Sequence, residues 1–196
     1  MSKEKLKTTL QVHGGIITAK QGKAAGLSNT GITRAVRSGD LERVAHGVYE
    51  AADEFNDELF SRQIRKPKAI YSHDTALYLH DLTDRDPLTF SVTIPTGYNT
   101  KRLVSEGFTV FSVKRGLYEI GIIEMATKHG HNVKTYSVER TICDCVRSRN
   151  RMDVNLTTEA IKRYVERKDK DIHSLMDIAT KFGVQKIIRT YMEVLL

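Results

Sequence analysis

Cysteine and proline are scarce in this chain, with two and three residues among 196, and long apolar runs are missing altogether. Two thiols cannot make a disulfide framework. Cys143 and Cys145 stand two apart on a predicted helix, so they project about 200° from each other and cannot share a metal. With no second cysteine pair, no metal site is expected, and buried small residues are the reading. No stretch approaches the length of a membrane span. The lysine-rich Met1–Lys7 has no apolar segment behind it, so no export signal is expected and the reading is a reducing, cytoplasmic setting without membrane contact. Internal repeats and low-complexity segments are lacking. So are the phosphate-binding Gly-Lys loop, the Gly-x-Ser-x-Gly elbow and the dinucleotide glycine pattern. Nothing here supports an enzyme, and neither a catalytic residue nor a cofactor is expected.

What remains is an ordinary globular composition, 40% hydrophobic and 28% charged. The length suits two small domains or one with a substantial core. The net charge of +7 is spread unevenly. Residues 1–50 hold eight Lys/Arg against four Asp/Glu, and the remainder holds twenty-three against twenty. Net positive charge is therefore about four times denser in the first quarter, as expected of a phosphate-facing segment.

The first fifty residues read as three short helices and a hairpin. Leu6, Leu10 and Val12 give the first helix an apolar face, and Gly14-Gly15 stop it. Thr18 is the expected N-cap of a second helix running through Ala24-Ala25. Gly26 supplies the positive φ of a tight turn, Leu27 a buried contact, and Ser28 the N-cap of a third helix. There Ile32, Ala35 and Val36 share one face, and Gly39 ends the run. Leu41–Val44 and Val48–Glu50 are β-prone segments across Ala45-His46-Gly47. Helix, helix, tight turn, helix and hairpin form the order of a winged helix-turn-helix. The acidic, turn-prone Ala51–Asn56 is the expected boundary. It divides a DNA-binding domain, residues 1–52, from a second domain, residues 55–196.

The second part is mixed, with a small sheet over about 69–136 and a helical bundle over about 137–196, so the fold class is α+β. A helix is expected at Phe60–Ile64, ended by Pro67, and strands at Ala69–Tyr71, Phe90–Ile94, Val110–Val113, Ile120–Ala126 and Val133–Tyr136. Phe90, Val92 and Ile94 alternate with small polar residues, the pattern of a half-buried strand. Ser72 is the expected N-cap of a helix through Leu82. Lys128–Asn132 reads as a turn whose histidines, His129 and His131, are exposed. Four helices follow, marked by Val138/Ile142/Val146, Ala160/Ile161/Tyr164/Val165, Ile172/Leu175/Ile178/Ala179/Phe182 and Ile187/Ile188/Tyr191/Leu195.

Chemistry concentrates on the third helix. With its apolar residues on one side, Asn29, Thr30, Thr33, Arg34 and Arg37 occupy the other, beside Ser28 at its start. Asn pairs bidentately with adenine and Arg with guanine, while threonines meet a methyl group or a phosphate. Lys20 and Lys23 on the preceding helix suit backbone phosphates, which orient without specifying. Arg43 and His46 sit on the wing. The alternative is a solvated face of a protein-interaction winged helix. A second basic run, Arg140, Arg147, Arg149 and Arg151 followed by Lys162, Arg163 and Arg167, is interspersed with acids. It reads either as a salt-bridged surface or as a patch for nucleic acid or an acidic partner. His73 and His80, seven apart on one helix, allow only a weak metal or acid–base reading. Glu119, Glu124 and Lys134 lack the spacing of a nuclease centre.

Several blocks resemble one family. Gly39-Asp40-Leu41-Glu42-Arg43-Val44-Ala45-His46-Gly47-Val48-Tyr49 resembles the wing signature of the AbiEi-type antitoxins of bacterial abortive-infection toxin–antitoxin systems. Ser72–Leu82, Thr93–Pro95, Ser137–Asp144, Thr158–Tyr164 and Tyr191–Leu196 are similar to blocks of that family's second domain. The resemblance implies a winged helix that binds inverted repeats of double-stranded DNA in its own promoter and represses its operon. It also implies a second domain that neutralises a nucleotidyltransferase-like toxin without a stable complex, the type IV mode. A plain transcriptional regulator with a ligand-sensing second domain is the alternative.

Overall fold

The computed structural model describes residues 3–52 and 57–195. Of the expected boundary stretch, residues 53–56 lie outside the described residues, as does Leu196 at the end of the last resembling block. The chain forms two compact units, Met1–Pro67 with Met125–Val133, and Lys68–Glu124 with Lys134–Leu196. The first unit thus runs past residue 52 and takes in a segment more than fifty residues further along the sequence. The reason is chemical: Asp57, buried at the start of the helix that follows, finds its partners in that distant segment.

In the first unit the order is α1 (Lys3–Val12), β1 (Ile16–Thr18), α2 (Ala19–Ala24), α3 (Asn29–Arg37), β2 (Leu41–Ala45), β3 (Val48–Ala51) and α4 (Glu58–Ile64). β3 lies between β1 and β2 and is antiparallel to both, with Ile16 opposite Glu50 and Leu41 opposite Ala51. Leu6, Leu10, Ile17, Leu27, Ile32, Ala35, Leu41 and Ala51 form the core of these elements. Val12 does not share it. At 67% exposure it stands off the face expected of it, since Leu6 and Leu10 are buried with Thr9 rather than with Val12.

The second unit contains β4 (Ile70–Tyr71), α5 (His73–Leu79), β5 (Ser91–Pro95), α6 (Lys101–Ser105), β6 (Thr109–Val113) and α7 (Arg115–Tyr118). β7 (Ile122–Ala126) and β8 (Asn132–Tyr136) belong to it in part, their Met125–Val133 portion being counted with the first unit. α8 (Val138–Arg147), α9 (Val154–Glu166), α10 (Ile172–Phe182) and α11 (Gln185–Leu195) follow. The five strands lie in the order β6-β5-β4-β8-β7, mixing antiparallel β4–β5 with parallel β5–β6 and β4–β8. Mixed helix and strand around small sheets is the α+β class. β5 is buried on both faces rather than one. Its polar residues are accommodated by hydrogen bonds: Thr75 Oγ1 accepts from the Ser91 amide, and Thr93 Oγ1 donates to Ser72 Oγ. The largest core joins Leu77 and Leu82 to the inner faces of α8, α9, α10 and α11.

At the centre of that core lies a charge. Arg140 on α8 is fully buried, contrary to its expected place in a surface run of arginines. Its Nε donates to Asp144 Oδ2 at 2.9 Å, and its Nη1 donates to the carbonyls of Leu117 at 2.7 Å and Ile120 at 2.6 Å. The guanidinium carbon lies 4.0 Å from the centre of the Tyr136 ring and 4.1 Å from that of Phe182. Burial raises the Asp144 carboxyl and Arg140 pulls it back, leaving it at about 6, so the pair is ionised at neutral pH. Cys143 and Cys145 flank Asp144 and are both buried thiols, with protonation favoured by burial.

Candidate functional site

The exposed side of α3 is set by local chemistry. Thr18 caps α2 through a reciprocal pair: its Oγ1 accepts from the Gln21 amide, and its own amide donates to Gln21 Oε1 at 2.7 Å. Gly22 lies so near α3 that a Cβ there would stand 3.2 Å from Ile32 Cδ1, which allows the two helices their close approach. Gly26, at φ +73°, makes the turn between them. Ser28 Oγ then accepts from the Gly31 amide at 3.1 Å and starts α3. With Ile32 and Ala35 buried, Asn29, Thr30, Thr33, Arg34 and Arg37 are all exposed, as are Ser28, Lys20 and Lys23. None of these cations has a carboxylate within ion-pair distance among the described residues, so their charge is available to a partner.

The hairpin read as a wing in the sequence follows as β2 and β3, with a register irregularity between Arg43 and Ala45. Gly47 O accepts from the Ala19 amide at 2.7 Å, tying the hairpin turn to the start of α2. Arg43 folds back over the turn, its Nε donating to Ala45 O at 3.3 Å and its Nη2 reaching His46 Nδ1 at 3.0 Å. Both side chains are exposed. The ten residues singled out in the sequence all lie exposed within this stretch, from Lys20 to His46.

The second basic run is not one surface. Arg140 is the buried core charge. Arg163 is held by Asp84 and by Glu159, the latter at 2.8 Å, and Lys162 is exposed beside it. Arg167 is paired with Asp169 at 2.8 Å. Arg147, Arg149 and Arg151 are exposed and have no carboxylate within ion-pair distance among the described residues. Arg147 and Arg151 line a cavity of about 290 Å³ with His73, Phe111, Ser148 and Asn150, whereas Arg149 does not.

Sequence reasoning missed what lies beside that cavity. Ser72 does not cap α5; its hydroxyl is taken by Thr93 and by His73 Nδ1 at 2.9 Å. His73 begins α5 at φ +52°. That left-handed conformation costs a non-glycine residue about 1 kcal/mol or more. Its ring is buried, stacked on Phe111 with centres 3.4 Å apart, and its Nε2 meets Ser148 Oγ at 2.9 Å. Burial, with Arg140, Arg151 and Arg147 nearby, holds the imidazole well below its ordinary range, so it is neutral at pH 7. His80 shares no ligand position with it, because His80 Nε2 lies 2.6 Å from Tyr136 O. Among the described residues, no group of three or more His, Cys, Asp or Glu could hold a metal ion.

His131 is likewise no exposed turn histidine. It is buried in the first unit, its Nδ1 donating to Asp57 Oδ2 at 2.8 Å, with Phe60 stacked on it at 4.3 Å. Thr127 Oγ1 also donates to Asp57 Oδ2, and Asp57 Oδ1 caps α4 by accepting from the Phe60 amide. Burial pushes the Asp57 carboxyl up. The hydrogen bonds from His131, Thr127 and the Phe60 amide outweigh that and hold it below the usual carboxylate range. The sequence signal was available only as a histidine in a five-residue connection.

Comparison with known proteins bears on the first of these two regions. Residues 4–52 match the family model described as transcriptional regulator, AbiEi antitoxin. The elements from α1 to β3 are therefore similar to those of a family of transcriptional regulators. Within that class, residues 4–52 are similar to the AbiEi-type antitoxin regulators, and the resemblance read in Gly39–Tyr49 is borne out there. The blocks from Ser72 onward lie beyond that match. No curated protein matches the chain. Among solved structures, it is similar to the crystal structure of the RV2827C protein from Mycobacterium tuberculosis. The identity is 10% and the TM-score 0.44, covering 96% of this chain and 79% of that one. No helix among the described residues is long and apolar enough to cross a membrane.

Proposed function

We propose that this chain is the antitoxin and autorepressor of a bacterial abortive-infection toxin–antitoxin system, acting in the cytoplasm in phage resistance. The elements α1 to β3 act as a winged helix-turn-helix. α3 enters the major groove of inverted repeats in the chain's own promoter, and the wing, with Arg43 and His46, meets the adjoining backbone or minor groove. One observation carries this reading: the exposed face of α3 presents an amide, two hydroxyls and two guanidinium groups free of acidic partners, within the segment matched to a regulator family. Asn29, Arg34 and Arg37 have the chemistry to read base edges. Lys20, Lys23 and the hydroxyls of Ser28, Thr30 and Thr33 suit phosphates. The second unit neutralises a nucleotidyltransferase-like toxin in the type IV manner, without a stable complex.

A mobility shift on operator and scrambled duplex, at two salt concentrations, tests the first half. Arg34→Ala and Arg37→Ala are each expected to weaken operator binding by about 1–3 kcal/mol and scrambled binding by less. Lys23→Ala weakens both alike and flattens the salt dependence. Equal losses on both duplexes for Arg34→Ala would make it a phosphate contact and remove the assignment of that face. Growth rescue by residues 55–196 against the product of the adjacent gene, from an unrelated promoter, tests the second half. A metabolic neighbour in place of a toxin, with no rescue, favours the second reading, a regulator whose second unit senses a ligand. The cavity beside Arg147 is the observation on that side.

A further inference from the structure

We propose that the cavity bounded by Arg147, Arg151, Ser148 and His73 in the second unit is a binding site for a phosphate monoester. Two guanidinium groups converge on about 290 Å³ of space, the lower end of the range for small-ligand pockets. One carboxylate also lines the cavity, but Asp144 is already bound to Arg140 at 2.9 Å. That neutralises it and leaves the charges of Arg147 and Arg151 uncompensated among the described residues.

The neutral donors are arranged by a directed chain of hydrogen bonds. Thr93 Oγ1 donates to Ser72 Oγ at 2.8 Å. Ser72, having accepted, still has its own hydrogen to give to His73 Nδ1, and in that arrangement the proton of the neutral imidazole sits on Nε2. Nε2–H then donates to Ser148 Oγ at 2.9 Å. The hydroxyl hydrogen of Ser148 is left over at the cavity wall, a donor awaiting an acceptor. The strained backbone at His73 fits the same account, since a costly conformation persists where its surroundings over-determine it, as at ligand sites.

The donor set selects the ligand class. A carboxylate has two oxygens and is satisfied by one guanidinium fork. The Arg147 fork, the N–H groups that Arg151 has left after its Nη2 donates to Val110 O at 3.3 Å, a hydroxyl and the Asn150 amide provide for three terminal oxygens around one centre, which is a phosphoryl group. Phe111 offers no free platform for a base, because His73 is stacked on it and the Arg151 guanidinium lies 4.3 Å from the ring centre. Recognition therefore centres on the phosphate, whether it belongs to a free nucleotide or to the end of an RNA.

Calorimetric titration of the full chain tests this with five probes. They are inorganic phosphate, a nucleoside 5′-monophosphate, the same nucleoside without phosphate, and a four-nucleotide RNA with a 5′-phosphate or a 5′-hydroxyl. Saturable binding of the phosphate-bearing probes, at a Kd of about 1 mM or tighter, is expected, with no binding of the bare nucleoside. Arg147→Gln and Arg151→Gln should each weaken it at least about tenfold, the loss of a charge-assisted donor pair, and Arg151→Lys less. Arg149→Gln, between them in sequence but outside the cavity, should change it by less than about twofold. Tighter binding of the monophosphate marks a free nucleotide as the source, and tighter binding of the 5′-phosphorylated RNA marks an RNA end; either outcome upholds the site. Absence of saturable phosphate binding overturns the proposal. So do equal losses in Arg149→Gln and Arg147→Gln, or binding of the bare nucleoside as tight as that of its monophosphate. Operator and toxin are not needed for this readout, so its failure is distinct from failure of the antitoxin reading.

Discussion

α3 and α8 are helices of nearly equal length, each with polar residues on one side and apolar residues on the other, and they use their polar sides in opposite ways. On α3 the polar side faces solvent, and Arg34 and Arg37 have no carboxylate within reach among the described residues. On α8 the sequence from Arg140 to Val146 is buried throughout, and Arg140 is held by a carboxylate, two carbonyls and two aromatic rings, with only its Nη2 left without a hydrogen-bond partner among the described residues. An arginine on an amphipathic helix is thus a surface contact in one case and a core element in the other. What separates them is the covering layer: α5 and α9 to α11 close over α8, whereas nothing among the described elements of its own unit covers the outer side of α3. The first arrangement keeps charge for a partner. The second spends it on the fold.

The largest effect expected from breaking this contrast is at Arg140. Arg140→Ala strands the buried Asp144 carboxylate and the carbonyls of Leu117 and Ile120. Removing one partner of a buried pair costs about 3–5 kcal/mol. Urea unfolding at neutral pH measures it. Arg140→Met with Asp144→Leu removes both charges and is expected to recover much of that loss, since the uncompensated charge rather than the lost pair dominates. A loss below about 1 kcal/mol for Arg140→Ala, the range of surface pairs, would place Arg140 with its exposed neighbours after all.

The contrast also marks where the sequence could be read. The elements of the first unit rest on local signals: the Thr18 and Ser28 caps, the Gly26 turn, and the spacing of Ile32 and Ala35. All of these act within a few residues, so the exposed face of α3 follows from the sequence alone. Within the second basic run, Arg140 could not be told from its exposed neighbours, because two of its partners come from elsewhere along the chain. The Arg140–Asp144 spacing of four was legible, but the carbonyls of Leu117 and Ile120 were not. Ser72 has the chemistry of an N-cap, and tertiary partners claimed its hydroxyl instead. The cavity needs His73 and Ser148, 75 residues apart, and the Asp57 pair needs His131, 74 residues apart. No periodicity encodes such meetings.

A smaller effect is expected at Asp57, the first unit's counterpart to Asp144. Asp57→Asn keeps an oxygen for the Phe60 amide but turns an amide group toward donors, His131 Nδ1–H or Thr127 O–H. The expected loss is about 1–3 kcal/mol. Because the folded-state pKa of Asp57 lies below 3.8, its contribution is present above that value and disappears as pH falls through the folded value. Wild type and Asp57→Asn should therefore differ fully at pH 7 and converge well below pH 3.8. A difference that does not change with pH would mean that Asp57 acts by shape rather than by charge. The same bonds predict that residues 1–52 alone, lacking both Asp57 and the segment around His131, are less stable than the unit within the full chain.

The smallest effect belongs to α3, and it sharpens the comparison. Arg34 and Arg37 are exposed and make no side-chain bond to a carboxylate within the described residues, so nothing in the fold depends on their charge. Helix propensity changes little from arginine to alanine, and alanine is the better helix former. Arg34→Ala and Arg37→Ala should therefore shift unfolding stability by no more than about 0.5 kcal/mol, in either direction, as surface substitutions do. The same substitution made at Arg140 on α8 costs several times that. Urea denaturation of all three variants beside wild type, at one pH and salt, measures the ratio. Loss of stability at Arg34 comparable to that at Arg140 would show that the α3 face is covered in the folded protein. It could then not be a surface held open for DNA, and the operator-binding variants would be reporting unfolding rather than recognition.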